Sequence, residues 1–193
     1  MKRMIASIAL LTCSFAAHAD WKLDNDKSQL SFVSIKKNEV AEINRFNQLE
    51  GTVDTKGQAK VKIHLSSVNT NIPIRDQRMQ EHLFKVNKYT VAEMTASLDL
   101  EKLGKLAIGE VLINEVLTGE LDLHGIKKEL SAKVVIARLA EGKLLVTTQE
   151  PLIIYAQNHK LAKGVEKLRQ IAQLPSISNA VPVTFVLHFS EAK

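Results

Sequence analysis

VNTNIPIRDQRMQEHLFKVNKY, running from Val68 to Tyr89, interrupts an otherwise regular alternation of apolar and polar residues. Immediately before it, KVKIHLS (Lys60 to Ser66) puts Val61, Ile63 and Leu65 on one face and Lys62, His64 and Ser66 on the other, the two-residue period of a strand. The same period returns from Ala92 to Leu100. Between the two, Pro73 excludes a central strand. Asp76 is placed to cap a short helix over about 75–86, in which Met79 and Leu83 share a face four residues apart. The reading is a helical crossing that links two strands.

Outward from this crossing the chain is a succession of short strands. QLSFVSI (Gln29 to Ile35) alternates Leu30 and Phe32 with Ser31 and Val33 and stops at Lys36-Lys37-Asn38. NRFNQLEGTVD (Asn44 to Asp54), carrying Phe46 and Val53, reads as one strand, joined through Thr55–Gln58 to Lys60–Ser66 as a hairpin. Downstream come Leu106–Asn114, reached through a Glu101–Lys105 loop, then Leu117–Leu123, Glu129–Ala140 and Lys143–Thr148, with Gly125 and Gly142 at turns. Pro151–Tyr155 and Pro182–Phe189 complete about ten strands with no βαβ rhythm. Leu121 and Leu123 oppose Glu120 and Asp122, and Val183, Phe185, Leu187 and Phe189 form one apolar stripe. Antiparallel sheets with one apolar face close into a sandwich or a barrel, and barrel closure leaves no free edge.

One later segment has a helical period. Asn158 to Leu174 aligns Leu161, Val165, Leu168, Ile171 and Ala172 on one stripe, with Pro175 beyond its end and Lys160, Lys163, Lys167 and Arg169 on the remaining surface. The stripe is narrow and lacks Trp and Phe, which favours packing on the sheet or closing one mouth of a barrel over lying on a membrane.

At the N-terminus, Lys2 and Arg3 precede an apolar run from Met4 to Phe15 that ends in Ala17-His18-Ala19. This is the pattern of a cleaved secretory signal over residues 1–19, too short to span a bilayer, and it leaves one domain over 20–193. Cys13 lies in that run and is the chain's one cysteine. The exported part therefore has neither disulfide nor thiolate metal site. Without Lys2 and Arg3 the formal net charge falls from +5 to +3, too small for a nucleic-acid footprint, and 5% aromatic residues are too few for base stacking.

His64, His82, His124, His159 and His188 show no H-x-H or H-E-x-x-H spacing, and no G-x-S-x-G elbow or Gly-rich phosphate loop occurs. No catalytic or metal-binding residue is nominated, and the chain is not read as an enzyme. In VLTGELDLHGIKK, Gly125 supplies the positive φ of a tight turn with His124 at the strand end; the alternative puts His124 at a cavity rim.

The order S-V-x-T (Ser67 to Thr70), Arg75-Asp76, His82-Leu83-Phe84, Tyr89, then Thr118-Gly119 and His124-Gly125, resembles the YceI-like family across nearly the whole chain after residue 20. The resemblance implies an all-β, extended antiparallel lipocalin-like barrel around a long apolar channel that holds an isoprenoid or other lipid. It implies a periplasmic lipid carrier with no cofactor, in which Phe32, Phe46, Met79, Leu83, Phe84, Tyr89, Leu121, Leu123 and Phe185 contact the ligand. Arg75, Asp76, His82, His124 and Gly125 are then structural motif residues. A transient membrane contact and a dimer are both compatible with it. Two departures stand out. Thr90 follows Tyr89 where the family commonly has Pro, and Lys36-Lys37 ends the early strand where many members place a His. A hydrolase or isomerase acting on a lipid-like substrate in the same cavity, and an envelope stress factor with a protein partner, are the alternative functions.

Overall fold

Twelve strands alternate along the chain, and their pairing assembles them into eight staves. The computed structural model describes residues 19–192; the segment 1–18, on which the export reading rests, lies outside them. The strands are β1 (Ala19–Leu23), β2 (Gln29–Lys36), β3 (Val40–Phe46), β4 (Leu49–Asp54), β5 (Gln58–His64), β6 (Val68–Asn69), β7 (Val91–Ser97), β8 (Val111–Leu123), β9 (Ile126–Ala140), β10 (Lys143–Thr148), β11 (Leu152–Tyr155) and β12 (Ala180–Glu191).

Four staves are broken strands: β1 with β2, β3 with β4, β5 with β6, and β10 with β11. Each stave pairs antiparallel with the next in sequence. β12 then returns to the first stave, its N-terminal half on β2 and its C-terminal half on β1, and the barrel is closed. An eight-stranded up-and-down barrel leaves an interior wide enough for side chains or one small ligand.

The breaks correct the reading of Asn44–Asp54 as one strand. β3 pairs with β2 and β6, whereas β4 pairs with β1 and β5. At the break, Asn25 takes the place of the ladder: its Oδ1 accepts the Leu49 N–H at 2.7 Å and its Nδ2 donates to the Asn47 carbonyl at 3.3 Å. Of the stretch 106–114 only Val111–Asn114 is strand, and it is continuous with 117–123 in β8, with an irregularity between Leu112 and Glu115 where Asn114 takes φ 60°. The Glu101–Lys105 loop is a short helix, α2, if α1 denotes Pro73–Arg78; α2 spans Leu100–Gly104 and is capped by Asp99, whose carboxylate accepts the Lys102 N–H.

The crossing begins earlier than the sequence suggested. α1 starts at Pro73, with Ile72 rather than Asp76 in the capping position, and runs straight into a π-helical turn, Met79–Phe84, that ends at the left-handed Lys85. The second helix is shorter than 158–174: α3 covers Ala162–Ile171, preceded by a 3₁₀ turn at Ala156–His159. Lys160, at φ 57°, separates the two because a left-handed residue cannot continue a right-handed helix.

Candidate functional site: an apolar cavity with a polar end

The pleat of β2 and β3 builds one wall of the barrel interior. Leu30 faces Phe46, Phe32 faces Asn44 and Ser34 faces Glu42 across the antiparallel pair, and Lys36 follows on the same side of β2. All seven side chains line a single cavity of about 500 Å³. Alternate residues of a strand share a face, so this wall changes from apolar to charged toward the β2–β3 hairpin, a run of about 20 Å along β2.

The rest of the lining is almost wholly apolar. β8 and β12 contribute Leu121, Leu123, Val183 and Phe185, and the ring of Phe46 bridges Phe32 and Phe84 at centroid distances of 5.4 and 5.7 Å. Leu30, Ile63, Met94 and Phe185 also border a second, smaller cavity of about 80 Å³ deeper in the barrel, and so form the waist between the two. A cavity of this size and polarity lies in the range of ligand pockets.

Two helical pieces cover the polar end. Leu161, Val165, Leu168, Ile171 and Ala172 of the α3 segment all face the cavity, as does Met79 with Leu83 and Phe84 from the π-helical turn. α3 approaches that turn closely at Gly164, where an added Cβ would lie 2.8 Å from both the His82 carbonyl oxygen and the Leu83 Cα. Ile72 and Ile74 line the cavity while being 43% and 51% exposed, which identifies them as the lip of its opening.

The charged end is an organised cluster. Glu42 accepts from Arg75 Nη1 at 2.6 Å through one carboxylate oxygen and pairs with Lys36 Nζ at 2.9 Å through the other. The Lys36 hydrogen bond, followed by Arg75, holds the Glu42 carboxyl below its ordinary 4.5, against an upward push from desolvation. Arg75 Nη2 also donates to the Thr70 carbonyl at 2.7 Å, while Asp76 accepts from both the Thr70 N–H and its hydroxyl. Arg75 and Asp76 thus act on the same buried residue, Thr70, from opposite polarities, and they are not surface charges paired with each other.

Asn44, 3% exposed, donates from Nδ2 to the Glu42 carbonyl and to Ser34 Oγ. Its Oδ1, and the Nε of Arg75, are buried without a hydrogen-bond partner among the described residues.

Eight of the nine residues nominated as ligand contacts line the main cavity: Phe32, Phe46, Met79, Leu83, Phe84, Leu121, Leu123 and Phe185. Tyr89 does not. The chain turns away at Lys85, and the Tyr89 ring lies tilted by 43° against His124 at a centroid distance of 4.1 Å, next to Gly125. His124 and Gly125 have φ of 58° and 71° and make the two-residue turn between β8 and β9, so His124 shares the left-handed conformation assigned to Gly125 alone. His124 is away from the cavity lining. Burial pushes its pKa below 6.5, Lys85, Lys88 and Lys160 add to that, and the His159 main chain opposes it without making a well-formed hydrogen bond. His82 is half-buried and acts through its carbonyl, against which Gly164 packs. Sequence reasoning nominated Phe185 but missed the other waist residues, Leu30, Ile63 and Met94, together with the Ile72–Ile74 lip and Asn44. The face shared by Glu42, Asn44 and Phe46 was a signal for the last. No group of three or more His, Cys, Asp or Glu residues placed to hold a metal ion occurs among the described residues.

The model of the YceI-like domain matches residues 21–189. The chain belongs to the YceI-like family. Among solved structures, it is similar to a polyisoprenoid binding domain from Saccharophagus degradans implicated in plant cell wall breakdown, at 39% identity and a TM-score of 0.88, covering 91% of this chain and all of that one. Burkholderia cenocepacia BcnA is similar at 20% identity and a TM-score of 0.65, over 86% of this chain and 98% of its own. A Campylobacter jejuni YCEI protein is similar at 19% and 0.57, over 78% and 85%. At such identities the last two speak for the fold alone. A comparison with curated proteins gave no match. The eight-stave closed barrel is therefore the YceI-like barrel, with Lys36 joined to Glu42 at its charged end.

Proposed function

We propose that this YceI-like protein binds a polyisoprenoid or similar amphiphile, its chain in the 500 Å³ cavity and its head at the Glu42–Arg75 end, and carries it in the periplasm rather than transforming it. The apolar cavity inside a closed barrel carries this reading, and the similarity to a polyisoprenoid binding domain supports it. Burying an isoprene unit of five carbons is worth about 4 kcal/mol in the transfer limit. Ordering a ligand in a site costs about 4 to 15 kcal/mol. Chains of several units are therefore the ones such a cavity retains.

The charged groups at the cavity end are engaged with one another, which suits seating a head group better than activating a nucleophile. Export follows from the Lys2-Arg3 and Met4–Phe15 pattern and the small residues before Asp20. The exposed Ile72 and Ile74 beside Arg78 suit a transient contact with a membrane surface at the moment of loading.

Protein purified from the periplasm, extracted with organic solvent and examined by mass spectrometry, should yield a defined long-chain lipid at near one per protein. An extract with no lipid, from protein that also fails to bind an added prenol, would overturn the carrier reading. N-terminal sequencing of the same sample should begin at Asp20.

A further inference from the structure

We infer that the head group seated at Asn44 and Arg75 is a hydroxyl, a group that both donates and accepts a hydrogen bond; this rests on the carrier reading above and specifies its ligand. Two buried atoms of opposite polarity stand unpaired at this end of the cavity. Asn44 Oδ1 is an acceptor and Arg75 Nε a donor, each without a partner among the described residues. Both side chains line the same end of the cavity and both are fixed on Glu42, Asn44 through the main-chain carbonyl and Arg75 through the carboxylate.

The polarity of each atom is set by its neighbours. Glu42 O is a carbonyl and only accepts, so the Asn44 nitrogen has to face it and the amide oxygen has to point elsewhere. Arg75 has spent Nη1 on Glu42 and Nη2 on the Thr70 carbonyl, leaving Nε–H as its unpaired donor. Guanidinium keeps its proton, so this atom never becomes an acceptor.

A buried polar group left unpaired is costly, so the ligand that relieves both atoms is favoured over one that relieves either alone. A ketone, quinone or ether oxygen accepts from Arg75 but offers nothing to Asn44. An ammonium donates to Asn44 and leaves Arg75 facing a like charge. A fully ionised phosphate only accepts, so it answers Arg75 and leaves Asn44 unpaired. One hydroxyl oxygen accepts from Nε while its proton goes to Oδ1. The alternation of the lining places it where the apolar wall of Leu30, Phe46 and Phe32 ends, at the head of a chain running toward the waist.

The test uses the exported chain, stripped of lipid, with binding measured by displacement of an environment-sensitive dye. Geranylgeraniol should bind about tenfold more tightly than its methyl ether, equal to 1.4 kcal/mol. Asn44→Leu should bring the ratio of the two affinities close to one, whatever its effect on each affinity alone. A second pair, a prenylated hydroquinone kept reduced and its oxidised quinone, separates the two sources of hydroxyl. Preference for the hydroquinone over the quinone assigns an aromatic hydroxyl, and preference confined to the prenol pair assigns an aliphatic one. Equal affinities for alcohol and ether in the unaltered protein would overturn the hydroxyl seat and leave the apolar carrier standing; that comparison does not depend on the variant folding. Tighter binding of the ether or the quinone would also overturn it. Failure of every probe, with the hydrocarbon squalene included, would remove the carrier reading along with it.

Discussion

Arg75 reaches from the first turn of the crossing helix to Glu42 on β3, thirty-three residues earlier, and closes the charged end of the cavity with a 2.6 Å ion pair. The same guanidinium holds the Thr70 carbonyl, so one side chain ties the crossing to the barrel wall and to its own lead-in loop.

Arg75→Ala should therefore cost about 2 kcal/mol, between the value of an exposed pair and that of a fully buried one, because Glu42 keeps Lys36. Lys105→Ala, which removes a pair exposed on both sides, should cost near zero. Urea denaturation of the two variants measures the difference, and equal midpoints would mean that Arg75 does not tie the crossing to the barrel wall. The Glu42 carboxyl is held below 4.5, so its contribution is present above that pH and is lost as pH falls through the lowered value; Arg75→Ala should make this acid loss smaller.

Gly164 is where the cover over the cavity meets the π-helical turn. Gly164→Ala sets a methyl 2.8 Å from the His82 carbonyl and the Leu83 backbone, which has to shift, and should cost about 1 to 3 kcal/mol while loosening lipid retention. Gly104→Ala meets nothing within 4 Å at the end of α2 and should be neutral or stabilising by up to about 1 kcal/mol. Thermal melts and the lipid content of the purified variants check both, and a Gly164→Ala protein with parental melting and full lipid would show that α3 is free to move away.

The interior of the barrel was legible because its signal is local. Two-residue alternation put Leu121 with Leu123 and Phe185 with its stripe, and the pleat keeps those faces inward whatever the neighbours are. The α3 stripe was legible for the same reason, although its ends were not: the left-handed Lys160 has no mark in composition. The break between β3 and β4 was invisible because the interruption at Asn47-Gln48 is held by Asn25, more than twenty residues away. Asp99 was a capping signal, but a five-residue helix is too short for its period to register. Asn44 was hidden by the usual expectation that an inward position is apolar. Tyr89 was misplaced because a single left-handed residue, Lys85, redirects the chain after the motif.

His124 provides a pH signature. Its pKa is below 6.5 in the folded protein, so at neutral pH it is neutral there, and below 6.5 the unfolded chain takes up a proton more readily than the native state. Stability from this group is thus fully present above 6.5 and is lost as pH falls from 6.5 through the lowered value. Asn tolerates the left-handed conformation and suits an Asn-Gly turn, so His124→Asn should keep the β8–β9 hairpin while flattening the fall in melting temperature between pH 6.5 and 5. A fall of the same size in the variant would assign that pH dependence to other groups.

Leu121 distinguishes a cavity from a packed core. It lies on β8 opposite Met94 of β7, with its side chain in the lining of the main cavity, whereas Val134 on β9 is fully buried and lines neither cavity. Enlarging a residue in a close-packed interior costs about 1 to 3 kcal/mol or more. Val134→Trp has no free volume to enter and should lower the melting temperature by well over 5 °C, since 1 kcal/mol shifts a domain of this size by about 2 to 4 °C. Leu121→Trp places its added ring in the space a chain would occupy, so it should melt near the parent protein while the co-purified lipid falls sharply. Asp122→Asn, on the opposite face of the same strand, should change neither. A Leu121→Trp protein that melts as low as Val134→Trp would mean that the barrel interior is solid at this position and that no chain passes it.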